Sequence, residues 1–64
     1  MAESEIDTSN RFMVARDAKR LFIMQKLPIA LTDDDAINLA AWLVAMVADG
    51  DTKFAATIQA VRNT

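Results

Sequence analysis

Apolar residues recur along most of the chain at helical spacing, and residues 39–48, Leu-Ala-Ala-Trp-Leu-Val-Ala-Met-Val-Ala, form an unbroken run of ten. Two breaks divide the pattern. Lys26-Leu27-Pro28-Ile29 interrupts it because proline lacks a backbone donor and forces the preceding residue out of α geometry. Asp49-Gly50-Asp51 is the second stop, with Gly50 suited to a left-handed C′ position and Asp51 to capping the next helix. Between them, Thr32 and Asp35 have the spacing of a capping box, and Asp33 and Asp34 add negative charge to a first turn. The pattern predicts an all-α fold, a small three-helix bundle with helices near 5–25, 33–48 and 52–62. The second helix is central, the chain is a single domain over 1–64, and residues 1–4 are expected to fray.

A step of 100° per residue assigns the faces. In the third predicted helix Phe54, Ile58 and Val61 make one apolar stripe. The second has two apolar flanks, Leu39, Trp42 and Met46 on one side and Ile37, Val44 and Val47 on the other, with Leu43 between them. Its remaining face carries Asn38, Ala41, Ala45 and Ala48, which either meets solvent or allows another helix to approach closely. In the first predicted helix Val14, Ala18, Leu21 and Phe22 form the core stripe, while Phe12 and Ile23 are left over beside Arg16, Lys19 and Lys26. Either the loop of Leu27, Pro28, Ile29 and Leu31 covers those two, or they belong to a contact surface.

Composition strengthens the helical reading and narrows the stabilising devices. One Gly, one Pro, no Tyr and twelve alanines favour helix over sheet. At 64 residues a core buries only about 60% of the surface that the unfolded chain exposes. Small chains usually add disulfides, a metal or a partner, and the absence of Cys and His leaves tight helix packing or a partner. Ten apolar residues fall short of the roughly 20 that span a bilayer, and the acidic start Met-Ala-Glu-Ser-Glu is not a secretory leader. The expected location is the cytoplasm, with no membrane partner.

Candidate chemistry is sparse. Ser4 and Ser9 have no identifiable base, and adjacent carboxylates in Asp33-Asp34-Asp35 diverge by about 100° and do not converge on one ion. A calcium loop opening at Asp49 would need Gly at Phe54 and Glu at Ala60. A single glycine builds no phosphate cradle. No catalytic residue, cofactor or metal is therefore expected.

Charge is more organised. Arg11, Arg16, Lys19, Arg20 and Lys26 place five of the seven basic residues on the first predicted helix, in a chain of net charge −2. The expectation is a non-enzymatic protein–protein interaction module, a small homo-oligomeric adaptor or inhibitor that binds a larger protein, of the size phage accessory proteins have. A homodimer is favoured, and the candidate contact residues are Phe12, Arg16, Lys19, Arg20, Ile23 and Trp42. The alternative is a nucleic-acid-binding accessory protein using the basic helix, against which stand a pI near 4.7 and the lack of an aromatic stacking platform.

Overall fold

The computed structural model describes residues 6–64, so the expected fraying of residues 1–4 lies outside the described residues. The order of elements is β1 (Val14–Arg16), β2 (Leu21–Ile23), α1 (Asp33–Ala45) and α2 (Gly50–Arg62). This overturns the all-α three-helix bundle. The first predicted helix is absent, and in its place stands a two-stranded antiparallel sheet with Val14 opposite Ile23, Ala15 opposite Phe22 and Arg16 opposite Leu21. The ladder runs past the strand ends through Met24 N–H to Met13 O and Gln25 N–H to Phe12 O, both at 3.1 Å.

Two polar side chains divert the backbone from helix. Asn10 pairs with Val14 like a neighbouring strand: its Nδ2 donates to Val14 O and its Oδ1 accepts from Val14 N–H, each at 2.9 Å. This closes a turn in which Met13 holds φ 53°. Asp17 then accepts from the N–H groups of Lys19 and Arg20 at 2.8 Å, and its own N–H donates to Arg20 O at 3.0 Å, which folds the hairpin. Such side-chain bonds offer the backbone an alternative to the helical ladder. They outweigh the helix propensity of Ala15, Ala18, Lys19 and Arg20 because the turn and hairpin bury Phe12 and Val14. They are the core, at 6% and 4% exposure.

The first helix begins at the expected Asp33 and ends early, whereas α2 begins at Gly50, ahead of the expected 52, and ends at the expected 62. Thr32 caps α1, its Oγ1 accepting from Asp35 N–H at 3.1 Å. The expected end at Ala48 is shortened to Ala45, because Met46 and Val47 donate to the carbonyls three residues back, Leu43 and Val44, and tighten the coil. Arg16 reaches across from β1 and donates to Met46 O at 3.1 Å, bringing positive charge to a helix end that has no basic residue of its own. The left-handed residue of the connection is Asp49, φ 57°, and Gly50 is already the first residue of α2. Neither the expected C′ role of Gly50 nor the expected cap at Asp51 is found. Gly50 is needed because a Cβ there would strike the Val44 carbonyl oxygen.

Isolated two-stranded hairpins are marginal in water, so these short strands depend on α1 for their order. The faces of α1 also differ from the wheel. Leu39, Trp42, Leu43, Val44, Met46 and Val47 are half-buried, whereas Ile37 is 70% exposed and Asn38, placed on the alanine face, is buried. Along α2 the stripe finds little to lie on: Ile58 is half-buried, and Phe54 and Val61 are exposed.

Candidate functional site

Three α1 side chains at i, i+3 and i+7 hold the N-terminal segment. Asp35 Oδ1 accepts from Arg11 at 2.6 Å. Asn38 Nδ2 donates to Ser9 O at 2.8 Å and to Asp7 O at 3.4 Å, and Trp42 Nε1 donates to the same Ser9 carbonyl at 3.0 Å. Arg11 also grips Asp7 at 2.8 Å, so one guanidinium joins two carboxylates. This polar clasp explains why Asn38 is buried: an amide supplies the donors that two strand-like carbonyls need. Its Oδ1 remains buried without a partner.

The electrostatics follow from this geometry. Hydrogen bonding from Arg11 holds Asp35 below its ordinary value of 3.8. The Ser9 N–H and then Arg11 hold Asp7 well below the carboxylate range, and the Lys19 and Arg20 N–H groups lower Asp17. All three carboxyls bind protons less tightly in the folded chain than in the unfolded one. The stability they contribute is therefore complete above the unfolded value and is lost progressively as pH falls from there through the lower folded values. The urea midpoint should be level near neutrality and decline below about pH 5, with a shallower decline in Asp35→Asn. An unchanged slope in that variant would contradict the Arg11–Asp35 pair.

On either side of the exposed α1 row Ile37, Ala41 and Ala45 lies a groove. One, about 520 Å³, is bounded by Ile6, Thr8 and Trp42, and the other, about 680 Å³, opens toward α2 at Phe54, Ala55 and Ile58. The three α1 residues line both, so they form the floor of one broad apolar channel.

The six candidate contact residues do not behave as one patch. Phe12 is core, and its place on a contact surface is withdrawn. Arg16 is occupied at the end of α1, Lys19 sits exposed in the hairpin turn, and the Arg20 guanidinium lies 6.0 Å from the Phe22 ring centre. Ile23 is on β2, partly exposed. Trp42 is half-buried with its N–H engaged by Ser9, and its ring faces the smaller groove. The helix-wide basic face on which the nucleic-acid alternative rests is not formed, since Arg11 is clasped and Arg16, Lys19, Arg20 and Lys26 lie along the hairpin and the loop after it.

Sequence reasoning missed Asn10, Asp35 and Asn38 as organising residues. The period-two pair Phe12 and Val14 was the available signal for the hairpin, and the i, i+3, i+7 spacing of Asp35, Asn38 and Trp42 was the signal for the clasp.

Among the described residues no group of three or more His, Cys, Asp or Glu is placed to hold a metal ion, and no helix is long and apolar enough to cross a membrane. Comparison with protein-family models, with curated proteins and with solved structures finds no match for this chain.

Proposed function

We propose that the chain is a non-enzymatic protein-interaction module of the cytoplasm that assembles with a second copy of itself and acts as an adaptor or inhibitor on a larger protein. The observation that carries this reading is the surface left uncovered. The chain exposes 5323 Å², whereas a compact monomer of 7.1 kDa exposes about 4,100 Å². Ile37, Phe22, Met24, Phe54 and Val61 are all among the exposed large apolar residues, and no described side chain is fully buried. Large apolar side chains left exposed in this number support a surface that another macromolecule covers.

Sedimentation equilibrium at micromolar concentration should report two chains per particle, with a melting temperature that rises with concentration. A monomer at every concentration, melting cooperatively and independently of concentration, would remove the reading.

A further inference from the structure

Resting on the reading that the chain acts on a larger protein, we infer that the outer edge of β2 takes an extended acidic segment of that protein as a third strand of the sheet. The ladder fixes which backbone groups face outward. Asp17 N–H donates to Arg20 O and Met24 N–H to Met13 O, so these residues form bonded pairs across the hairpin. Antiparallel strands alternate bonded and non-bonded pairs, which makes Ala15 and Phe22 the bonded pair between them. The N–H and C=O groups of Val14, Arg16, Leu21 and Ile23 therefore turn away from the opposite strand.

The two edges differ in what meets those groups. On β1 the outward N–H and C=O of Val14 are both taken by the Asn10 side chain, each at 2.9 Å, so an added strand cannot lie there without displacing it. The same strand also packs against α1. On β2, among the described residues, no backbone or side-chain group bonds the outward N–H and C=O of Leu21 and Ile23. Two donors and two acceptors, on residues two apart, are what the backbone of an incoming strand pairs with.

Charge at the ends of that edge selects the occupant. Lys19 and Arg20 precede β2 and Lys26 follows it, while the carboxylate of Asp17 is engaged by the Lys19 and Arg20 N–H groups. Between those cations stand Leu21, Phe22 and Ile23, the last two exposed. The Arg20 guanidinium lies 6.0 Å from the Phe22 ring centre, on the side of the sheet where a strand about 4.8 Å away would present alternate side chains. Opposite charges across neighbouring strands attract and like charges repel. A segment that alternates apolar residues with carboxylates satisfies both the apolar centre and the basic ends. A second copy of β2 would instead bring the same three cations to meet their like.

The probe is the peptide Glu-Val-Glu-Val-Glu-Val, titrated into the isotope-labelled chain at low salt, with Lys-Val-Lys-Val-Lys-Val as its control. The amide protons of Leu21 and Ile23 should shift and exchange more slowly when the glutamate peptide is bound, and affinity should fall several-fold between about 0.01 and about 0.15 M salt. Ile23→Pro removes one outward donor and leaves the bonds to β1, a substitution that a strand edge tolerates. It should weaken binding about tenfold, and Arg20→Glu should weaken it comparably. No response to the glutamate peptide, or equal binding of the lysine peptide, overturns the inference. Shifts confined to the helices, with the Leu21 and Ile23 amides unmoved, overturn the edge as the site even where Ile23→Pro fails to fold. Protection of those two amides that rises with protein concentration alone overturns the acidic segment in favour of a second copy. A chain that sediments as a monomer yet binds the peptide along β2 removes self-association and upholds the edge, whereas a dimer indifferent to the peptide removes the edge alone.

Discussion

Phe12→Ala is expected to abolish the fold at room temperature. Replacing a buried phenylalanine by alanine costs about 3–5 kcal/mol. A domain of this size holds on the order of 3–10 kcal/mol in total. Phe12 and Val14 are the only buried hydrophobic residues among those described, so little neighbouring core is available to collapse into the space. The hairpin has no other apolar seat, and three-residue strands do not persist without one. Circular dichroism should show the cooperative melt lost or its midpoint lowered by tens of degrees. Phe22→Ala, at an exposed site on β2, should change stability by about 1 kcal/mol or less, and an equal effect of the two would refute the assignment of the core.

Gly50→Ala should be the second most damaging of the simple substitutions, although alanine is the better helix former and Gly50 opens a helix. The added methyl would meet the Val44 carbonyl oxygen, a backbone atom with no rotamer to escape into, and would crowd Val44 Cγ1 at 3.2 Å. The loss should be about 2 kcal/mol, the scale of overpacking, read as a lower urea midpoint with an unchanged slope. Its neighbour should respond in the opposite sense. Asp49 holds φ 57° and makes no side-chain cap bond, so Asp49→Gly should gain up to about 1 kcal/mol. If Gly50→Ala proved neutral, the close approach of the connection to the last turn of α1 would be wrong.

The contrast between these neighbours shows where sequence is informative. A glycine between two aspartates predicts a left-handed helix terminator, because that is the commonest reason for glycine at such a place. The left-handed residue proved to be Asp49, and the glycine answers to a contact with Val44, six residues away in sequence. A local signal with a local cause was legible: Thr32 bonding Asp35 at the start of α1. The failed helix depended on a competition that periodicity does not weigh. Asn10 and Asp17 bind backbone within four residues, and the hairpin they form buries Phe12 and Val14 and sets β1 against α1.

For the site, the candidate contact residues Trp42 and Arg16 make bonds within the chain, at the Ser9 and Met46 carbonyls, that no local pattern announces. The face of Ala41 and Ala45 was legible as small and unassigned. That it is open to solvent in the single chain, and flanked by grooves on both sides, became visible only from the fold.

The clasp also bears on the order in which the molecule assembles. Its bonds join residues 24 to 33 positions apart, whereas the hairpin turn and both helices close over short spans. Loops of that length cost more entropy to close and are repaid only after both ends are structured. The segment from Asp7 to Arg11 therefore joins last and, held mainly by polar bonds near the surface, detaches first. Because the Trp42 indole is bonded to Ser9 and is the chain's single tryptophan, its emission should register that detachment at a lower denaturant concentration than the loss of helix.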